Sequence, residues 1–173
     1  MQKGLFAVIG LLLIILLSAC NGSTQEIEGE KNIKEMVYEY SVNSIDGVNA
    51  SITSQELIVT ESDNEKTTYN LPEDEFFVSI APFINTTHPC TNHSLTGCQG
   101  ELIDKEFDVY IQDEDGNVVV NETITSLKNG FIDLWLPRDK TFQVKIEYDG
   151  KIAESEISTF EGDNTCITTM QLI

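Results

Sequence analysis

The sequence predicts a mainly β protein, an immunoglobulin-like β-sandwich carrying a small N-terminal α/β appendage. Three observations predict it. Apolar residues alternate with polar ones at Phe107, Val109 and Ile111, and again at Phe142, Val144, Ile146 and Tyr148, the period of a half-buried strand. These runs are short and are punctuated by turn chemistry at Asp113-Glu114-Asp115-Gly116, Asn129-Gly130 and Asp149-Gly150, the last a two-residue hairpin signal. Hydrophobic residues make up 40% of the 173-residue chain and aromatics 8%, which supports a packed core and argues against wholesale disorder.

Taken in order, the chain opens with a segment that is not fold. Lys3 precedes an uninterrupted apolar run from Leu5 to Leu17, too short to span a bilayer comfortably, and small residues follow it. The sequence Leu17-Ser18-Ala19-Cys20 resembles the lipobox of bacterial lipoproteins. That resemblance implies a signal peptide at 1–19, cleavage before Cys20, and a diacylglycerol on the Cys20 thiol. Residues 20–29 are then a polar tether. Residues 30–42 place Ile33, Met36, Val37 and Tyr40 at i, i+3, i+4 and i+7, an amphipathic helix. With the β-rich runs Leu57–Thr60 and Thr67–Tyr69, this makes a small region over 30–75. The sandwich is expected over 76–173. Its strands are expected at Phe76–Ile80, around Phe107–Ile111, at Val118–Val120, Phe131–Leu136, Phe142–Tyr148 and Lys151–Phe160, with a last one over Cys166–Leu172.

The chain carries 10 Lys+Arg against 29 Asp+Glu, a formal charge of −19. Such a surface repels phosphate backbones, and without a basic patch nucleic acid is not a partner. Acidic clusters are read first as solvated turns. Asp113, Asp115 and Glu122 have the composition of a calcium loop, but Gly116 falls in the wrong place for an EF-hand. No Gly-rich phosphate loop, Gly-x-Ser-x-Gly or His-Glu-x-x-His is present, so ordinary hydrolase chemistry has no foothold.

One stretch is unlike the rest. Between His88 and Cys98 lie both histidines of the protein, His88 and His93, and two of its four cysteines, Cys90 and Cys98. Thiolates and imidazoles together suit soft or borderline metals, Cu(I) and Zn(II) above all. The spacing is not a Cys-x-x-Cys knuckle, and it admits either a disulfide or a shared ion. A plain Cys90–Cys98 disulfide stapling a loop is the structural alternative; it leaves Cys166 unpaired in an exported protein and the histidines unexplained. Cys166 shares strand parity with Thr168, Met170 and Leu172, and so also reads as a small core residue. A thiol-disulfide oxidoreductase would be expected to show Cys-x-x-Cys in a thioredoxin-like pattern, and it is absent. From spacing alone the site is one of thiols and imidazoles, metal-binding or redox.

The segments Thr87-His88-Pro89-Cys90, Asn92-His93-Ser94-Leu95 and Gly97-Cys98-Gln99-Gly100-Glu101-Leu102 resemble the CueP family of exported copper-binding proteins. So do Asn129-Gly130-Phe131-Ile132, Trp135-Leu136-Pro137-Arg138 and Thr165-Cys166-Ile167-Thr168-Thr169, in the right order across roughly residues 50–173. The resemblance implies a copper site, with copper held as Cu(I), built from Cys90, Cys98 and Cys166 with His88 or His93 nearby. It implies copper handling outside the cytoplasm, for resistance or for delivery to an exported cuproenzyme such as a superoxide dismutase. It also suggests a homodimer through the N-terminal part. Cupric-reductase behaviour ranks second, because thiols can reduce Cu(II). Trp135 and Arg138 are read as structural.

Overall fold

A computed structural model describes residues 22–43 and 45–173. The signal segment 1–19 and the lipidation position Cys20 lie outside the described residues. The protein is mainly β, with one helix and three sheets among the described residues. Helix α1 (Gly22–Val42) is followed by β1 (Asn49–Ile52), β2 (Glu56–Thr60), β3 (Lys66–Asn70), β4 (Glu75–Ile80) and β5 (His93–Ser94). Strands β6 (Glu106–Asp113), β7 (Val118–Thr125), β8 (Ile132–Pro137), β9 (Thr141–Tyr148), β10 (Lys151–Ser158) and β11 (Cys166–Ile167) complete the chain. No helix among the described residues is long and apolar enough to cross a membrane.

The sandwich is made by the sheet β10-β9-β6-β7 and the sheet β11-β4-β8. The alternating residues meet where the period placed them: Phe107, Val109 and Ile111 of β6 and Phe142, Val144 and Ile146 of β9 pack against Phe76, Val78 and Ile80 of β4 and against Ile132 and Leu136 of β8. The β9–β10 hairpin turns on Asp149 and Gly150, with φ of 50° and 71°, as a primed turn requires.

The third sheet, β3-β2-β1-β5, carries α1. Ile33 and Val37 are buried there among Ala50, Ile52, Leu57, Val59 and Phe77, with Met36 and Tyr40 packed alongside. The four apolar positions read from the sequence therefore do form the inward stripe. The helix begins at Gly22 and so runs through residues 22–29, where the sequence suggests a polar tether. Ser41, near its end, donates to the Asp133 carboxylate of β8 at 2.6 Å, and Ser79 of β4 donates to the other oxygen. Burial pushes the Asp133 carboxyl upward, and the two hydroxyls oppose that shift.

Two strands depart from expectation at the C-terminus. The return strand stops at Ser158, and β11 covers only Cys166–Ile167 before an isolated bridge joins Phe83 to Gln171. Alternation survives without a continuous ladder, since Cys166, Thr168, Met170 and Leu172 are all buried. Strand β11 lies parallel to β4, with Cys166 opposite Ser79.

Candidate metal centre

The site sits where the third sheet meets the sandwich, and four segments deliver its donors. His93 lies on β5 opposite Ile52 of β1. Its N–H donates to Thr165 Oγ1 at 3.0 Å, and that hydroxyl donates onward to the Ile52 carbonyl at 2.7 Å. Thr165 thus ties the strand carrying Cys166 to the sheet carrying His93. The Cys166 N–H donates to Thr91 O at 3.1 Å, binding the same strand to the loop after Cys90. Cys98 is set by a turn in which its N–H and that of Gly97 both reach Ser94 O, at 2.9 and 3.3 Å.

Two glycines let this turn approach the far side of the site. A Cβ on Gly100 would stand 2.5 Å from the Gly130 carbonyl oxygen, and one on Gly130 would stand 2.7 Å from the Gly100 oxygen. The backbones can cross so closely, with Gly100 N–H donating to Asn129 O at 2.6 Å, because neither residue has a side chain. The crossing brings Phe131 against the donors, where it is fully buried with Ala81 and Cys166.

The loop holding His88 and Cys90 is pinned by Glu101. Its carboxylate accepts the N–H of Ile84 at 2.6 Å, and the N–H and side-chain amide of Asn85 at 2.9 and 3.0 Å. These bonds, that from the Asn85 N–H first, pull the Glu101 carboxyl down to about 2. Further along, Thr87 Oγ1 donates to Thr168 O at 2.6 Å.

One donor atom each from Cys90, His93, Cys98 and Cys166 lies within 4.8 Å of every other. Cys90 and Cys166 are joined by a disulfide across 76 residues of sequence. Cys98 is a free thiol whose sulfur is 3.6 Å from that of Cys90. His93 Nδ1 faces Cys166 Sγ at 3.4 Å, while its Nε2 is buried without a partner. The His93 ring packs on Phe131 with centroids 4.4 Å apart. Burial in this cage lowers its pKa to about 4, with a smaller contribution from His88, so the imidazole is neutral at ordinary pH.

The bonded pair is Cys90–Cys166, which replaces the Cys90–Cys98 staple considered from the sequence. Cys166 is therefore neither an unpaired thiol nor a bystander. Disulfide partners 76 residues apart cannot be deduced from spacing. His88 is not in the four-donor group; it is half-buried, edge-on to Phe131 at 6.3 Å. Sequence reasoning gave Phe131, Glu101 and Thr165 no role at the site, although all three lie in the motifs quoted above. Trp135 is structural: it stands edge-on to Phe77 under the Lys34 ammonium. Arg138 likewise donates to Pro72 O and covers the Phe76 ring. The Asp113 turn is closed by its own chain, since that carboxylate accepts from Lys140 at 2.7 Å and from the Asn117 amides.

As it stands the disulfide removes two thiolates from the donor set. Two electrons and two protons would return two thiols, making three with Cys98, and deprotonation on binding would leave three sulfurs and one imidazole, a soft set that fits copper as Cu(I).

Two comparisons with known proteins find a match for the chain. The family model for the periplasmic copper-binding protein CueP matches residues 32–171. The solved crystal structure of S.CueP superposes with a TM-score of 0.78 at 34% identity, covering 91% of this chain and 99% of that one. Comparison with curated proteins gave no match.

Proposed function

The chain belongs to the CueP family of periplasmic copper-binding proteins, and from that premise we propose that it holds one Cu(I) on the thiolates of Cys90, Cys98 and Cys166, with His93 at the floor of the site. The observation that carries this reading is the convergence of these four donors within 4.8 Å of one another. Three thiolates in a low-coordinate site favour Cu(I) over harder ions. Loading requires reduction of the Cys90–Cys166 disulfide, after which the ion displaces the thiol protons.

The test is competition titration with Cu(I) and Zn(II) of protein prepared with and without reductant. Reduced protein should bind one Cu(I) per chain and prefer it to Zn(II). Oxidised protein should bind little. Equal copper binding by both forms would remove the thiolates from the reading.

The role proposed is copper resistance, or delivery of copper to an exported cuproenzyme of the superoxide dismutase kind, from a position tethered to the membrane through lipid on Cys20. Recovery of Cys20→Ala in the membrane fraction at wild-type level would reject the tether. Self-association would use α1, and sedimentation in high salt, where the strong negative charge of each chain is screened, would expose it.

The disulfide itself favours a second reading. Forming one such bond from two thiolates releases two electrons, enough to reduce two Cu(II) to two Cu(I). Loss of Cu(II) matched to loss of two titratable thiols would identify that activity.

A further inference from the structure

The donors differ in how they meet solvent. Cys166 is 2% exposed and His93 fully buried, whereas Cys90 and Cys98 are half-buried and form the accessible edge. An ion arriving from outside must reach the sulfurs of Cys90 and Cys98 before it reaches the floor. His88, two residues before Cys90, is likewise half-buried. Phe131, whose ring packs on His93 at 4.4 Å, meets His88 at 6.3 Å, so one aromatic side chain walls both the floor and the rim. The segment leading into His88 is held in place by the Glu101 carboxylate on the N–H groups of Ile84 and Asn85 and by the Thr87 hydroxyl on Thr168 O. Pro89 further restricts the backbone between His88 and Cys90. An imidazole so placed is neither a slack surface side chain nor one of the four resident donors.

We infer that His88 is the entry and exit ligand of the site: it takes Cu(I) from an incoming donor and passes it to Cys90 and Cys98 by ligand exchange. The inference rests on the Cu(I) reading of the same centre. Cu(I) accepts two or three ligands, so it moves between sites by adding one ligand before losing another. A half-exposed imidazole supplies that extra ligand. Imidazole holds Cu(I) less strongly than thiolate, so the ion does not rest there and runs down to the sulfurs. No electrons are exchanged: the bond to the incoming donor breaks as the Cu–N bond forms, the Cu–N bond breaks as Cu–S bonds replace it, and the thiol protons leave to water. Because His88 acts on the path and not on the end state, its loss must slow uptake and release by the same factor and leave their ratio unchanged.

The experiment uses the reduced chain and a chromogenic Cu(I) chelator as both donor and acceptor, followed by stopped-flow absorbance in each direction, with equilibrium competition alongside. For His88→Ala, uptake and release should both slow by about tenfold or more while the dissociation constant stays within about threefold of wild type. His88→Met, which restores a soft donor, should recover most of the rate. This recovery separates ligation from mere support of the loop, and His88→Met also serves if His88→Ala folds poorly. Unchanged rates in His88→Ala would overturn the inference. So would a weakened affinity with unchanged uptake, which would make His88 a resident ligand. Failure of the wild-type reduced chain to take up Cu(I) would overturn the copper reading as well, and so is distinguishable from failure of the entry role alone.

Discussion

Gly100→Ala isolates the backbone crossing that closes the site. Gly100 does not have a positive φ, so alanine is acceptable to its own backbone, and the cost is steric. The added Cβ would stand 2.5 Å from the Gly130 oxygen, 2.9 Å from its carbonyl carbon and 3.3 Å from Ala81 Cβ. The first two are backbone atoms, so no rotamer change relieves them. Reaching even 3.0 Å from that oxygen means parting the two loop segments by about 0.5 Å. Overpacking of this kind costs ~1–3 kcal/mol. In a chain of this size each kcal/mol lowers Tm by ~2–4 °C, so the expected fall is ~2–12 °C. The displacement passes to Cys98, two residues upstream, and to Phe131, next to Gly130. Cu(I) affinity of the reduced protein should fall by about tenfold or more, as when the support of a metal ligand is disturbed. Gly116→Ala is the comparison: its Cβ would meet nothing within 4 Å, but φ is +84°, so it loses stability through backbone strain far from the site. Scanning calorimetry with Cu(I) competition on both variants separates the effects. If Gly100→Ala keeps both the wild-type Tm and the wild-type affinity, the crossing does not position the site.

Cys166→Ser should lower Cu(I) affinity of the reduced chain by at least about tenfold, and mass spectrometry should show the native Cys90–Cys166 linkage gone; wild-type titration by this variant would leave Cys90 and Cys98 as the sulfur pair. Phe77→Ala, at a fully buried position edge-on to the only tryptophan, should cost ~3–5 kcal/mol and shift Trp135 fluorescence. Glu101→Gln should be less stable than wild type near neutrality. The folded carboxyl sits at about 2, below its ordinary value of 4.5, so its contribution is present above the ordinary value and lost as pH falls towards 2; urea midpoints that differ equally at pH 7 and pH 2.5 would contradict this. In the metal-free oxidised protein, His93 should titrate by NMR with a midpoint near 4. Because the folded pKa lies below the ordinary 6.5, its protonation costs stability as pH falls through that interval.

Local pattern made much of this fold legible. The stripe Ile33, Met36, Val37 and Tyr40 and the alternation along β6 and β9 each follow from side chains within one element, and burial obeyed them. Strand β5 was not legible, because two residues carry no period, and β1 (Asn49–Ile52) is nearly as short. Their pairing depends on Ile52 and His93 meeting across 41 positions of chain. The sulfur and imidazole types in the metal centre could be read from composition, since scarce residues were gathered in eleven positions. Their connectivity could not. Which sulfur bonds to Cys90 depends on β11 lying parallel to β4, a tertiary placement with no local signature. Likewise His88 and His93 are equivalent by residue type and neighbourhood, and only burial separates the floor from the rim.

Strand β4 belongs to both interiors at once. Phe76, Val78 and Ile80 face the sandwich, Phe77 faces the helix side, and Ser79 sets the register of Cys166. A strand shared in this way links the melting of the two halves: loosening either one uncovers apolar surface on an element the other needs. The chain should therefore unfold as one cooperative unit, with no partly melted species at equilibrium. An ion held at this seam raises the free energy of the whole transition by its binding energy, so copper occupancy should move a single calorimetric peak and not split it.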